Sequence, residues 1–162
     1  SLSEATRRLL EPRTASIKQR LKTVAILSEH NIPVRVMMAP IIPSLNSHEI
    51  LPLVKKVSEL GALDVAYTVV RLNGQIAKIF EDWARKTIPD KADRILNQIA
   101  ECHGGKLNDS TWGRRMKGEG TIATQINDTM RLAKTKFLSG KAIPGLEKSH
   151  FLQVKNPQTR LF

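Results

Sequence analysis

The sequence predicts an α/β fold in which helices alternate with parallel, mostly apolar strands. The prediction depends on two nearly unbroken apolar runs, PVRVMMAPII at residues 33–42 and LDVAYTVVRL at residues 63–72, and on the amphipathic helical patterns beside them. Strands buried on both faces read as continuous apolar runs, and strand–helix–strand order implies parallel pairing. Two strands are too few for a stable parallel sheet, so we expect the C-terminal part of a larger α/β domain.

The spacing of apolar residues places the first elements. Residues 1–13 read as the end of a strand that runs into a loop and a helix, and residues 16–30 carry apolar side chains at helical spacing. After the first apolar run, Ser47 is placed to cap a helix that Gly61 ends. A further helix follows the second run and presents apolar residues between positions 76 and 83.

The character of the chain changes beyond Pro89. Asp90 is placed to cap the next helix, and a glycine-rich basic stretch then leads into a last helix at residues 122–137. The sequence therefore divides into β/α units at residues 1–88, a helical extension with a basic glycine-rich loop at residues 89–140, and an extended basic tail at residues 141–162.

Charge and composition limit the function classes. The formal net charge is +11, and residues 106–162 hold 11 Lys and Arg against 4 Asp and Glu. Such a surplus favours a polyanionic partner such as nucleic acid, and the alternative is that it serves solubility alone. No apolar run is long enough for a membrane span and no signal peptide is evident. With a single cysteine, Cys102, the sequence predicts a cytoplasmic protein without an internal disulfide.

Four blocks of the sequence resemble a known family. EPRTASIKQRL, VMMAPIIPSLN, a strand ending VVRL, and DSTWGRRMKGEG occur in this order within roughly residues 1–120. As a set they resemble the C-terminal half of radical SAM proteins of the spore photoproduct lyase-like branch, often labelled DNA repair photolyases. The resemblance implies part of a TIM-like (β/α)6 barrel. It also implies a C-x-x-x-C-x-x-C loop whose [4Fe-4S] cluster cleaves S-adenosylmethionine to a radical.

That cysteine loop is absent from these 162 residues, so the resemblance implies a parent lyase-like enzyme whose C-terminal fragment is inactive alone. Three residues are expected to contact S-adenosylmethionine. The resemblance implies this for Ser1, at the mouth after the fourth strand, and for Arg20, on the helix where related enzymes carry a basic residue toward the cofactor carboxylate. Arg71 is expected there because active sites of β/α barrels gather at the carboxyl ends of the strands. The alternatives are a solvated helix face or a salt bridge with Glu11 for Arg20, and a structural ion pair for Arg71.

A second set of residues is predicted to bind substrate or nucleic acid. Asn46 follows the first apolar run and either contacts substrate or caps the next helix. Trp112, Arg114, Arg115 and Lys117 lie among glycines, where backbone amides can approach phosphates and an aromatic ring can stack on a base. The alternative is a tight loop in which the tryptophan packs on the barrel and the arginines are solvated.

The chain ends on NPQTRLF, which resembles the peptide by which bacterial repair proteins bind the sliding clamp. Gln158 would hydrogen-bond at the rim of a groove, and Leu161 and Phe162 would fill an apolar pocket. The alternative is that this apolar pair folds back onto the same protein. No metal site is predicted, because the four histidines lie in separate elements and form no ligand motif.

Overall fold

The computed structural model describes residues 1–149, and these contain six helices and two strands. A 3-10 turn at Ser47–Glu49 leads directly into the third helix. In chain order the elements are α1 (Glu4–Leu10), α2 (Ile17–Glu29), β1 (Arg35–Ile41), α3 (Ile50–Glu59), β2 (Asp64–Val69), α4 (Gln75–Thr87), α5 (Pro89–Glu101) and α6 (Gly120–Phe137).

The two strands form one parallel pair. Arg35 lies opposite Asp64 at the start of the ladder, and the register becomes irregular between Met38 and Ile41. The Asp64 carboxylate is 2.9 Å from the Arg35 guanidinium and 2.6 Å from the Lys134 ammonium, so α6 is tied to the sheet at this end. The predicted α/β class and parallel pairing are confirmed. Residues 1–149 hold a two-stranded sheet and not a closed barrel, so the (β/α)6 barrel stays a prediction.

Two groups of buried apolar side chains hold the elements together. The larger group joins the sheet to α3 and α6, where Val65, Val54 and Ile126 are each at most 4% exposed. The smaller group joins the ends of both strands to α5 through Ile95 and Ile99. The helix that the sequence assigns to an extension, α6, therefore packs in the same core as the β/α units.

Three local predictions are wrong. Residues 1–3 form no strand, and Ser3 instead caps α1 by accepting the N–H of Thr6 at 3.2 Å. Ser47 makes no capping hydrogen bond, because the chain enters α3 through a 3-10 turn. Asp90 does not cap α5, which begins one residue earlier at a proline, a residue whose fixed φ suits the first helical position.

Among the described helices, none combines the length and the apolar content needed to cross a bilayer.

Candidate functional site

A cavity of about 420 Å³ runs alongside β1 and past the carboxyl ends of both strands. Consecutive residues 36–40 line it, so side chains from both faces of the strand contribute, and it lies along the edge of β1 that β2 does not pair with. Its middle is apolar, with walls from α2 and α3. Its polar side chains include Ser1, Arg20, Asn46 and Arg71.

All three predicted cofactor residues and the predicted substrate residue Asn46 therefore line one cavity, although they come from four separate segments of the chain. None of the four glycine-rich-loop residues, Trp112 to Lys117, lines it.

Arg71 lies just after β2, between two residues whose backbone groups are hydrogen-bonded. The N–H of Val70 donates to the carbonyl oxygen of Ile41 at 2.9 Å, and the N–H of Leu72 donates to that of Leu107 at 2.8 Å. Nε2 of the buried His103 lies 2.7 Å from the carbonyl oxygen of Val70. The backbone on both sides of Arg71 is thus fixed, and the half-buried guanidinium makes no ion pair within residues 1–149.

Arg20 faces the same cavity from α2 and has an acidic partner. Its guanidinium donates to the Glu11 carboxylate at 2.6 Å, so the salt bridge offered as an alternative is present. That hydrogen bond is the main cause of the lowered pKa of Glu11, and burial partly opposes it. Arg7 shapes the intervening loop by donating to the carbonyl oxygens of Glu11 and Thr14 at 3.1 and 2.9 Å.

Glu49 anchors the N-terminal residues beside the cavity. Its carboxylate accepts the Ser1 hydroxyl at 2.9 Å and the Leu2 N–H at 2.7 Å, and the residue is 5% exposed. Sequence reasoning missed Glu49. Its position in the first turn of a helix was the visible signal, but an acidic residue there usually just complements the helix dipole.

Asn46 is a buried tie across the loop that follows β1. Its Oδ1 accepts the N–H of Ile42 at 2.7 Å, and its Nδ2 donates to the carbonyl oxygen of Pro40 at 3.1 Å. It makes no side-chain capping bond to the following 3-10 turn. Asn46 therefore holds the loop at the cavity wall, and its two named contacts occupy the amide on both sides.

The DSTWGRRMKGEG segment is an organised loop beside β2. Asp109, 7% exposed, accepts the Thr111 N–H at 2.8 Å and the Arg114 Nε–H at 2.6 Å, and Arg114 also contacts Glu119 at 2.9 Å. The hydrogen bond from Arg114 is the main reason that the pKa of Asp109 lies well below its usual value. Arg114 is thus engaged in holding the loop.

Trp112 and Arg115 form a pair within this loop, in which Trp112 is exposed and Arg115 is half-buried. Trp112 is 84% exposed, so the alternative in which it packs on the barrel is wrong. The Arg115 guanidinium lies 4.9 Å from the centre of the indole, a cation–π contact. Lys117 is also exposed. A flat aromatic ring with adjacent positive charge is what base stacking and phosphate contact require.

The remaining predicted residues carry less structural information. Gln158, Leu161 and Phe162 lie outside the described residues, so sliding-clamp binding stays a prediction.

Within residues 1–149, no group of three or more His, Cys, Asp and Glu side chains could hold a metal ion. Cys102 is buried, and burial, with a smaller effect of Glu101, raises the pKa of its thiol to about 11.

Comparisons of the chain with protein-family models, with curated proteins and with solved structures find no significant match. The resemblance to radical SAM proteins therefore depends on the motifs of the sequence.

Proposed function

We propose that this chain is the C-terminal half of a radical SAM iron-sulfur protein related to DNA repair lyases, and that the cavity beside β1 binds S-adenosylmethionine. The observation that carries the proposal is the convergence of the three predicted cofactor residues, Ser1, Arg20 and Arg71, on one cavity at the carboxyl ends of parallel strands. Ligands of β/α proteins bind at this end of the sheet.

The chemistry of the cavity suits the cofactor. Arg71 offers a half-buried guanidinium with no acidic partner in the described residues, and a planar donor fork of this kind binds carboxylates in a bidentate manner. Apolar side chains such as Leu72 and Phe80 also line the cavity, and side chains of this kind suit the packing of an adenine ring.

The residues present do not fit an iron-sulfur cluster. Cluster ligands are cysteine thiolates, and Cys102, the single cysteine of the sequence, is buried outside the cavity with a raised pKa. In the parent enzyme, the bound cluster and S-adenosylmethionine would together supply a 5′-deoxyadenosyl radical. We assign the binding and orientation of the cofactor to this chain. The cysteine ligands of the cluster would come from polypeptide outside these 162 residues.

The unpaired edge of β1 supports a larger barrel. Parallel sheets are normally covered on both faces and extended by further strands, yet Met37 at this edge is 59% exposed. Ile26 on α2 and Ile32 after it are also exposed, at 42% and 49%. A neighbouring strand paired with β1 would cover the cavity wall at Met37 and leave the polar residues at the strand ends for the cofactor.

Calorimetric titration of the 162-residue chain with S-adenosylmethionine tests the proposal. Arg71→Ala should weaken binding by roughly ten- to hundredfold, the value of a hydrogen bond to a charged group. Arg20→Ala should cost less, because Glu11 already neutralises that guanidinium. The matched control is Arg85→Ala, which removes an exposed arginine that is ion-paired to Glu81 on α4. The proposal would be rejected if the Arg71 variant and the control variant bound with equal affinity, or if the unmutated 162-residue chain did not bind.

A second candidate function is a non-catalytic nucleic-acid-binding module, and the exposed Trp112 ring with the Arg115 guanidinium beside it favours this function. Trp112→Ala should reduce the affinity for single-stranded DNA by about 1–3 kcal/mol, whereas Trp112→Phe should retain most of it because the ring still stacks. Binding should also weaken steeply with salt. A flat salt profile, or equal affinities of the Ala and Phe variants, would exclude this face as the interface.

A further inference from the structure

A second cavity of about 560 Å³ lies on the other side of the loop that follows β1. Its walls come from this loop, from the start of α3, and from α5 and α6. Ile42 and Asn46 of the loop face the first cavity, whereas Ser44 and Ser47 face the second. We call this second cavity the α5 cleft.

The ionisable side chains of the α5 cleft are all basic. They are His48, Lys91 and Arg94, and the lining contains no aspartate or glutamate. In the part of the chain that the structure describes, Lys91 and Arg94 make no ion pair. Arg85 and Lys86 on the adjacent helix α4 are both paired with carboxylates. The cleft thus concentrates uncompensated positive charge, which attracts anions.

Helical geometry directs the donors of α5 into one place. Lys91, Arg94 and Gln98 are spaced i, i+3 and i+7, so they share one face of the helix. Ser44 donates to Oε1 of Gln98 at 2.6 Å, which orients the amide and leaves its nitrogen as a donor. The Ser47 hydroxyl, which makes no capping bond, lines the opposite wall.

We propose that the α5 cleft is a binding site for a phosphate ester. A phosphate group presents several acceptor oxygens and negative charge, and the cleft offers an arginine, a lysine, hydroxyls and an amide without a carboxylate to repel it. The cleft is larger than one phosphate group requires, so room remains for the alcohol part of the ester. This site does not depend on cofactor binding in the first cavity.

The phosphate can come from a small nucleotide or from a nucleic-acid backbone, and three probes separate these sources. They are inorganic phosphate, adenosine monophosphate with adenosine as its phosphate-free control, and an oligothymidylate of about ten nucleotides. Each is titrated into the isotope-labelled 162-residue chain, and amide resonances of residues 44–48 and 91–98 are followed by NMR. The variant is Lys91→Ala with Arg94→Ala. The matched control is Lys55→Ala with Lys56→Ala, which removes two exposed charges from α3 outside both cavities.

The expected result is that adenosine monophosphate, but not adenosine, shifts the cleft resonances, and that the α5 double variant weakens its binding about tenfold or more. The control should change it less than about twofold, in keeping with the small effect of distant screened charges. Binding of the oligothymidylate alone would support the cleft and assign it to nucleic-acid backbone, with a salt slope that falls by roughly 1.4 in the variant. If no probe shifts these resonances, or both double variants bind equally, the site does not exist. Arg71→Ala leaves the cleft intact, so failure of the cofactor proposal remains distinguishable.

Discussion

Gly118 ends the loop that carries Trp112, and its replacement by alanine tests how tightly this loop is held against the core. Its φ is +75°, and a Cβ built on it would lie 2.9 Å from the carbonyl oxygen of Cys102 and 3.2 Å from the Cβ of Ala123. That carbonyl also accepts the N–H of Glu119 at 2.9 Å. Relief of the contact must therefore move backbone and loosen this hydrogen bond.

Gly113 in the same loop provides a matched control. Its φ is +82°, but a Cβ there would meet nothing within 4 Å. Both alanine variants carry the cost of a left-handed conformation, about 1–2 kcal/mol. Only Gly118→Ala adds crowding against packed atoms, which lowers the free energy of unfolding by about 1–3 kcal/mol more. The free energy of unfolding should fall by about 2–5 kcal/mol for Gly118→Ala and by about 1–2 kcal/mol for Gly113→Ala.

Urea unfolding of both variants and of the unmutated chain, followed by circular dichroism, measures these losses. Each loss is obtained from the shift in the urea midpoint, provided that the slope of unfolding free energy against urea concentration stays constant. Equal losses at the two positions would show that the loop does not pack against Cys102 as described, and the reasoning would be refuted.

Three further predictions concern buried or hydrogen-bonded polar groups. Because its hydrogen bonds depress the pKa of Asp109, the stability that its carboxylate contributes is present above the unfolded-state pKa near 4 and is lost as the pH falls below it. Asp109→Asn should therefore reduce the loss of stability between about pH 5 and pH 3 in urea titrations, and an unchanged acid limb would contradict this. The Cys102 thiol, buried and with a pKa of about 11, should resist a thiol reagent near neutral pH and react fully in denaturant, so rapid native labelling would argue against its burial. Asn46→Ala leaves the buried N–H of Ile42 and the carbonyl of Pro40 without their partner and should lower the unfolding free energy by about 2–4 kcal/mol. A loss below about 0.5 kcal/mol, the range of surface substitutions, would mean that water replaces these bonds.

The loop residues show where sequence reasoning succeeded and where it failed. The sequence singled out Trp112 and Arg115 because an aromatic and basic residues among glycines suit nucleic acid, and the structure leaves Trp112 exposed with the half-buried Arg115 against its ring. It also grouped Arg114 with them, whereas that guanidinium is held by Asp109 and Glu119. Residue type alone cannot separate these arginines, because the difference lies in which one reaches a buried carboxylate.

Two predicted helix starts were wrong for a related reason. Ser47 and Asp90 have the side chains that cap helices, but the chain enters one helix through a 3-10 turn and the other at a proline. Capping depends on the backbone conformation just before the helix, and packing of the preceding segment sets that conformation.

The sequence by itself determined the order of helices and strands from α2 to α6 and the parallel pairing of β1 with β2. It did so because the period of apolar residues and the β-α-β order are local properties of the chain. Only the tertiary structure decided that Arg71 stands without an acidic partner in the described residues while Arg20 binds Glu11. The tertiary structure alone also brought Lys91 and Arg94 to the cavity wall opposite the loop that follows β1. These outcomes depend on distances between segments far apart in sequence, which core packing sets and local pattern does not encode.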